Sequence, residues 1–289
     1  MKILQALCCW VFLSSGVSAW AETIKMAAED DWAPYSYQQD GSANPVGFSV
    51  DIVRAAFQTQ GVDVEFVTVP FARCLHYTAT GLTVGCFNVS INDKTRNQFY
   101  WHSTPLFCEE VGVFAHISSQ NSDVNVQGLE GKSVGYTSNY TYPSYVMQNP
   151  YINFFTTKSD RQLLQLAAAD RVGVDYVLIS AVPTRYLLAT EPELYGKVKQ
   201  VGSLMSDPMY LAFSKTHPDG QRMSALFERG LQALHRTGQY NSLLPLDMTQ
   251  AQRCNCLATA LEGQQAARQD GECSPPLPPV LMGRGQSPY

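Results

Sequence analysis

Three features are missing from this 289-residue sequence: a long apolar run in its body, clusters of Lys and Arg, and the spacing of a metal site. No stretch after residue 21 reaches the roughly 18 apolar residues of a membrane-spanning helix, so we expect no stable membrane insertion. The net charge is -5 with no basic cluster, which argues against nucleic acid and anionic membranes as partners. Only one residue separates Cys254 from Cys256, and no second pair of ligands follows at a suitable distance, so we predict no metal site. We also predict no cofactor.

The N-terminus has the three regions of a secretory signal. Lys2 precedes an apolar run over residues 3–13, and small residues lead to Ala19-Trp20-Ala21. We predict cleavage after Ala21, with Ala19 as the alternative; a buried N-terminal helix is disfavoured because nothing caps the segment. Removing residues 1–21 leaves 268 residues with a net charge of about -6, since only Lys2 is charged there. We therefore expect a soluble protein in the periplasm of a Gram-negative bacterium.

Cysteine is present but its pairing cannot be read from the sequence. Two cysteines leave with the signal, three lie in the body and three in the tail; the last six are Cys74, Cys86, Cys108, Cys254, Cys256 and Cys273. In an oxidising compartment we expect one pair inside the body and one odd thiol.

The body of the chain alternates short apolar strands with amphipathic helices. Residues 48–60 have the apolar spacing of a helix with one buried face and stop at Gly61. The first unit is predicted as strands over residues 23–28, 62–69 and 84–91, a loop over 30–36, and helices over 48–60 and 71–79. This alternation is typical of right-handed crossovers in a mostly parallel sheet.

A second unit repeats the pattern. It is predicted as strands over residues 131–136, 152–156, 175–179 and 208–214, and helices over 142–148, 161–169, 186–189 and 221–237. Two α/β units indicate two lobes, and the crevice between them is the expected ligand site. From Thr249 the sequence loses its period and becomes rich in Pro, so residues 249–289 are predicted to be a largely disordered tail.

Several short motifs together carry a family resemblance. In chain order they are Trp32-Ala33-Pro34-Tyr35, Gly47-Phe48-Ser49-Val50-Asp51, Val69-Pro70-Phe71-Ala72-Arg73, Lys94-Thr95-Arg96, Leu129-Glu130-Gly131-Lys132, Val174-Asp175-Tyr176-Val177 and Met209-Tyr210-Leu211-Ala212-Phe213. Over residues 22–246 the chain resembles bacterial extracellular solute-binding protein family 3, the receptors of polar amino acid ABC importers.

The resemblance implies an α/β fold of the periplasmic binding protein type II-like class, with two α/β lobes joined by two hinge strands. Lobe 1 would comprise residues 22–110 and 207–248, and lobe 2 residues 111–206. The hinge strands would cross near residues 109–113 and 205–210, so that a ligand closes the lobes. The expected partners are a small-molecule ligand and an ABC-transporter permease, and the protein is expected to be a monomer.

Arg96 is the predicted carboxylate clamp of the first lobe. It follows a strand at its carboxyl end, where a guanidinium can bind a carboxylate with two hydrogen bonds. The family uses this Arg for the ligand's α-carboxylate; the alternative is a surface Arg in an ordinary ion pair. Asn88 and Ser90, just before it, are further candidate donors.

The aromatic wall of the site is also expected in the first lobe. Trp32 and Tyr35 match the family's first loop and Phe71 the facing position at a helix start; stacking on such rings contributes about 0.5–2 kcal/mol. Trp32 could instead belong to the core. Arg73 either reaches the cleft or caps its helix.

The second lobe departs from the family pattern. Tyr140 and Thr141, in a turn that opens a helix, are the predicted contacts there. Ser180 stands where amino acid receptors have the Asp that binds the α-ammonium, and a hydroxyl cannot supply that charge. Glu29, or Asp30 or Asp31 beside it, is the candidate substitute.

The sequence leads to three hypotheses about function. The first is a receptor that captures a small polar, amino acid-like or carboxylate-bearing ligand for an ABC importer and performs no catalysis. The second is an enzyme like the cyclohexadienyl dehydratases of the same fold, which requires a general acid and cationic clamps. The histidines (His76, His102, His116, His217 and His235) are scattered and none lies in nucleophile spacing. The third is a signalling or interaction module without transport.

Overall fold

The computed structural model describes residues 22–39, 41–42, 44–138, 140, 142–170, 173–245 and 248. The predicted signal over residues 1–21 and the predicted tail over residues 249–289 lie outside these residues.

Twelve strands are found in the described residues. They are β1 (Glu22–Glu29), β2 (Asp31–Trp32), β3 (Ser36–Gln38), β4 (Pro45–Val46), β5 (Val62–Val69), β6 (Gly85–Ser90), β7 (Phe99–Tyr100), β8 (Phe107–His116), β9 (Ser133–Thr137), β10 (Asn153–Thr157), β11 (Tyr176–Ser180) and β12 (Val198–Ser214). The 17-residue β12 is much longer than the strand predicted over residues 208–214, because register shifts near Gly202 accommodate residues that interrupt its apolar pattern.

Seven α-helices accompany these strands in the part of the chain that the structure describes. They are α1 (Phe48–Gln58), α2 (Phe71–Ala79), α3 (Ser144–Met147), α4 (Asp160–Ala168), α5 (Ala181–Thr190), α6 (Gly220–Thr237) and α7 (Gln239–Leu243). The short helix predicted over residues 186–189 begins earlier, at Ala181. Pro183 lies in its first turn, where a missing backbone N–H removes no helical hydrogen bond.

Nine strands form one continuous sheet in the order β10-β9-β11-β8-β12-β6-β1-β5, with β7 paired to β12. Strands β2, β3 and β4 form a small separate sheet. The long strands β8 and β12 lie at the centre and pair with each other from Val198 to Met209. We call the part of the sheet with β6, β1 and β5 the first half, and the part with β11, β9 and β10 the second half.

The direction of the strands differs between the outer parts and the centre. Strand β1 is parallel to β5 and β6, and β9 is parallel to β10 and β11, as the helical crossovers predict. Strands β8 and β12 are antiparallel to each other and to their neighbours β11 and β6. The expectation of a mostly parallel sheet therefore holds in each half and is wrong at the centre, where two strands return between the halves.

Each half has its own apolar core. In the first half, α1 and α6 cover one sheet face around Phe57, Phe213 and Phe227, and α2 covers the other. In the second half, α4 packs on β11 and β9 around Leu163 and Val177. The amphipathic helix predictions hold because their apolar faces meet these sheet faces.

A disulfide joins Cys74 of α2 to Cys86 of β6. The predicted pair inside the body is thereby confirmed. Cys108 is disulfide-bonded as well, so the expected odd thiol is not Cys108.

Within the described residues, none of the helices combines the length and apolarity required to cross a membrane.

Candidate ligand-binding site

A buried cavity of about 30 Å³ lies where the two halves of the sheet meet. Strands β1 and β6 and helix α2 reach it from the first half, β11 and the segment after β9 reach it from the second, and β8 and β12 pass beneath it. We call it the inner cavity; its lining is Glu29, Trp32, Phe71, Asn88, Glu109, Val111, Tyr140, Tyr142, Ser180, Asp207 and Met209. Both halves thus contribute side chains to one cavity.

Tyr140 links the halves at this cavity. Its hydroxyl donates to Glu29 Oε1 at 2.7 Å, and its ring contacts Phe71 edge-on with centroids 5.8 Å apart. The ring of Trp32 lies 6.3 Å away on another side. A tyrosine of the second half therefore fills an aromatic corner built by the first half.

The loop that carries Trp32 and Tyr35 is held against the start of α1. The backbone N–H groups of Phe48 and Ser49 donate to the carbonyls of Pro34 and Tyr35. Gly47 has φ +129°, and a Cβ there would lie 2.2 Å from the Tyr35 carbonyl oxygen, so only glycine permits this approach. The loop is thus fixed by backbone contacts, which orients its aromatic side chains.

Glu109 of β8 is fully buried at the base of the cavity. Tyr35 donates a short hydrogen bond to its Oε2 atom, whereas Oε1 has no hydrogen-bond partner. Burial raises the pKa of this carboxyl well above its usual range and Glu110 adds to the effect, although Ser180, Arg185 and the Ala181 amide oppose it.

Glu29 is buried at the carboxyl end of β1. Burial raises its pKa to about 8; the Tyr140 hydrogen bond opposes the shift, while Asp160, Asp30 and Asp31 reinforce it. Glu29 therefore gains a proton in the folded protein well above the pH at which a solvated Glu would.

Asp207 is the third carboxyl at the inner cavity. It stands directly opposite Glu109 in the pairing of β12 with β8. Burial raises its pKa to about 6 and a hydrogen bond with Ser90 lowers it. Residues directly opposite on antiparallel strands project to the same face, so this carboxyl and Glu109 lie close together.

Asn88 of β6 completes the polar wall. Its backbone has φ +64°, a left-handed conformation that Asn tolerates better than most residues. Its amide nitrogen donates to Ser49 Oγ at 3.0 Å, and its buried Oδ1 atom has no partner. Asn88 and Glu109 thus each present an unpaired acceptor.

A larger cavity of about 360 Å³ lies on the other side of Trp32. This outer cavity is lined by residues 30–33 and 37–39 and by Asp160, Arg161, Pro183, Tyr186, Leu187, Thr190 and Glu191. Arg161 forms a short ion pair with Glu191. Asp160 accepts a short hydrogen bond from Thr137, and burial raises its pKa to about 6.

Six predicted site residues line the inner cavity: Glu29, Trp32, Phe71, Asn88, Tyr140 and Ser180. Tyr35 and Ser90 are buried just behind it, bound to Glu109 and Asp207 respectively. Thr141 lies outside the described residues.

Arg73 and Arg96 line neither cavity and are exposed. Thr95 explains the position of Arg96, because its hydroxyl donates to the Ser90 carbonyl and ties the turn to the end of β6. The carboxylate-clamp role of Arg96 and the cleft role of Arg73 remain predictions without support from this geometry.

Five lining residues are absent from the sequence prediction: Glu109, Val111, Tyr142, Asp207 and Met209. Glu109 and Asp207 carry a usable signal, since each interrupts an apolar segment that forms a central strand. Acidic residues in such a position are rarely buried without a partner or a role.

The histidines do not converge on either cavity. His102 is buried in the first half, where its Nε2 atom accepts from the Leu211 N–H at 2.8 Å, and burial lowers its pKa to about 4. Among the described residues, no group of three or more His, Cys, Asp and Glu side chains is placed to hold a metal ion.

The model of the bacterial extracellular solute-binding proteins, family 3, matches residues 24–245. No curated protein sequence matches the chain. Among solved structures, a histidine kinase sensor domain with similarity to periplasmic binding proteins is 22% identical with a TM-score of 0.68, covering 76% of this chain and 93% of that one. An ancestral arginine-binding protein bound to arginine is 19% identical, with a TM-score of 0.65 and coverages of 76% and 96%.

A third similar structure is an amino acid ABC transporter substrate-binding protein from Streptococcus pneumoniae bound to L-arginine. It is 18% identical, with a TM-score of 0.63 and coverages of 76% and 92%. At identities this low, the structural similarity establishes the fold alone. The family model covers most of the chain. The chain belongs to family 3 of the bacterial extracellular solute-binding proteins, and its α/β fold is of the periplasmic binding protein type II-like class, as predicted.

Proposed function

We propose that this protein is the periplasmic receptor of an ABC importer, which captures a small polar solute by closure of two lobes and leaves it chemically unchanged. The observation that carries the proposal is the inner cavity, whose lining comes from both halves of the sheet. A ligand that contacts both halves favours the arrangement in which they are close together.

The pairing of β8 with β12 supports the proposed lobes and hinge. Glu110 is opposite Ser206 in this pairing, so the proposed boundaries after residues 110 and 206 lie side by side. Both central strands would then pass from one lobe to the other at the same level, as a two-strand hinge requires.

The dehydratase-like alternative lacks its clamps in this geometry. A buried Glu with a raised pKa such as Glu29 is suited to general acid catalysis. Expelling a carboxylate also requires cationic groups, and no Lys, Arg or His is among the described residues that line the inner cavity.

A ligand-sensing role is the second candidate. The similarity to a histidine kinase sensor domain favours it, because that domain has the same fold. The two candidates share the capture of a solute and differ in the partner that responds.

The test is a thermal-shift panel on refolded, ligand-stripped protein with amino acids, opines, small peptides, dicarboxylates and amines. A true ligand at 100 times its Kd stabilises the folded protein by about 2.7 kcal/mol. The bound solute should be recovered unchanged after long incubation, and deleting the gene should abolish its uptake by the cell. Uptake that persists after deletion would favour sensing, and turnover would establish an enzyme. Absence of any binder would contradict capture itself.

A further inference from the structure

We propose that the captured solute is an organic cation that bears N–H donors and has no carboxylate, of the amine or guanidine class. This inference rests on the proposed capture function and names the ligand class of the same inner cavity. It departs from the expectation of an amino acid-like or carboxylate-bearing ligand.

The charge of the cavity lining is the first argument. The inner cavity presents the carboxyls of Glu29, Glu109 and Asp207, and its described lining contains no basic residue. A cation favours the ionised form of these carboxyls and can pair with it, whereas a ligand carboxylate would be buried beside them without a basic partner among the described lining residues. Burying an unpaired charge is strongly unfavourable.

The outer cavity extends the same charge pattern. Its lining holds four acidic residues, Asp30, Asp31, Asp160 and Glu191, against the single described base Arg161. Arg161 is already bound to Glu191. A ligand approaching Trp32 from this side therefore meets negative charge on the way to the inner cavity, which favours cations during encounter.

The unpaired polar atoms specify hydrogen-bond donors. Asn88 Oδ1 is a buried acceptor without a partner, and no donor reaches Glu109 Oε1 in ordinary hydrogen-bond geometry although Ser180 and the Ala181 amide act on this carboxyl; Asn88 and Glu109 both line the inner cavity. Buried acceptors need donors, which ammonium and guanidinium groups supply and a quaternary ammonium does not. At Glu29, the hydroxyl of Tyr140 is the hydrogen-bond donor in this structure.

Aromatic rings supply the remaining recognition surface. Trp32, Phe71, Tyr140 and Tyr142 surround the acids. A cation near the face of such rings gains about 0.5–2 kcal/mol, and the methylene chain of an alkylamine packs on the same surface.

The bases nearest to the acids do not change this conclusion. Arg185 of α5 acts on Glu109 electrostatically but is not part of the lining, and the burial of Glu109 outweighs it. Arg73 and Arg96 are exposed outside both cavities. A ligand carboxylate therefore finds no described cation within the inner cavity.

Matched pairs of ligands test the proposal directly. Agmatine, cadaverine and putrescine differ from arginine, lysine and ornithine only by the missing carboxylate. Titration calorimetry on ligand-stripped protein should show at least one amine binding about tenfold or more tighter than its amino acid, a difference of about 1.4 kcal/mol. Choline, which lacks N–H donors, should bind more weakly than that amine.

The outcomes separate this inference from the proposed function. Equal or tighter binding of the amino acids would overturn the inference, as would a panel whose only binders are anions, neutral solutes or choline. In each of these cases capture itself stands. If no solute of any class binds, both proposals fail.

A variant of Glu109 and a control variant away from both cavities locate the effect. Glu109→Gln keeps the shape of the side chain and removes its charge, so affinity for the best amine should fall about 30-fold or more. Glu130→Gln is the matched control, because Glu130 is exposed, lines neither cavity and accepts a hydrogen bond from the Asn149 side chain instead. Affinity there should change less than about twofold. Equal losses in both variants would contradict a contact at Glu109.

Discussion

Glu228 and Glu109 are two shielded carboxyl groups with opposite surroundings. Glu228 of α6 accepts from the backbone N–H groups of Ser103 and Thr104 and from the Thr104 hydroxyl. Burial opposes its ionisation, but the donors of Thr104, the nearby His102 and the Ser103 amide together lower its pKa. Glu109 interacts with the Tyr35 and Ser180 hydroxyls and the Ala181 amide, but its complete burial outweighs these donors and its pKa is raised.

The difference separates a carboxylate that serves the fold from one that is available to a ligand. Loop backbone supplies the donors of Glu228, so its charge is stabilised whenever the chain is folded. The donors that reach Glu109, Glu29 and Asp207 do not offset the burial of these carboxyls, so their ionised forms lower the stability of the ligand-free protein. A bound cation would supply the positive charge and the additional N–H donors that the fold does not provide to these carboxyls.

The largest expected effect is a loss of stability of the ligand-free protein as pH rises. Glu29 has an ordinary pKa of 4.5 and a folded value of about 8. A carboxyl with a raised folded pKa stabilises fully below its unfolded pKa, and this contribution is lost as pH rises through the folded value. Between pH 5 and pH 8, urea denaturation should show a fall in the free energy of unfolding of about 3 kcal/mol.

Bound amine should reverse this trend. Because the cation favours ionised carboxylates, its affinity should increase over the same pH range, and binding below pH 8 should release protons. Calorimetry in buffers of different ionisation enthalpy measures that release. A ligand-free stability that rises from pH 5 to pH 8 would show that the cavity acids are compensated after all.

The next largest effect on the free energy of unfolding is expected from removing Glu228, the carboxylate that accepts three hydrogen bonds. Glu228→Ala leaves the donors of Ser103 and Thr104 without their acceptor, so the free energy of unfolding should fall by about 2–3 kcal/mol. Ligand affinity should not change, since Glu228 lies away from both cavities. The control Glu65→Ala removes an exposed acid 3.9 Å from Lys25 and should cost less than about 0.5 kcal/mol. Similar losses in both variants would contradict the structural role of Glu228.

Removing a carboxylate of the inner cavity should have the opposite sign. Asp207→Asn eliminates a charge whose burial raises the pKa to about 6. We expect the ligand-free protein to gain about 1–2 kcal/mol at pH 8 and little at pH 5, where Asp207 is already protonated. Chemical denaturation at the two pH values measures the gain. A destabilised variant at pH 8 would place Asp207 with Glu228 as a structural residue.

The smallest effect concerns the link between the halves. Tyr140→Phe keeps the ring between Trp32 and Phe71 and removes the hydroxyl bound to Glu29, so the ligand-free protein should lose about 1 kcal/mol. Tyr145→Phe removes an exposed hydroxyl 3.3 Å from the Leu204 carbonyl and is the control. If both losses are equal in thermal denaturation, the contact between Tyr140 and Glu29 contributes nothing specific.

The first-half lining of the inner cavity was among the residues predicted from the sequence, but the acids at its base were not. Glu29, Trp32 and Phe71 follow or begin regular elements, so their motifs fix their place at the ends of β1 and α2. Glu109 and Asp207 lie in the middle of long central strands, and only the pairing of β8 with β12 brings them together. A single strand pattern contains no information about its partner's register.

The fold was predictable for a related reason. Helices such as α2 and strands such as β5 match their predicted ranges because local apolar spacing determines them. The antiparallel centre was missed because its order depends on contacts between distant segments. Arg96 shows the same limit, since the Thr95 bond that sets its turn is not visible in a charge pattern.

The pairing of Glu109 with Asp207 has a mechanical consequence. These two acids face each other across the two strands that would form the hinge, and their carboxylates would repel each other once both are ionised. A cation bound between them would join the two hinge strands at the hinge itself. Ligand binding at the hinge would then change the angle between the lobes. A partner protein that recognises this angle would detect the ligand without contacting it.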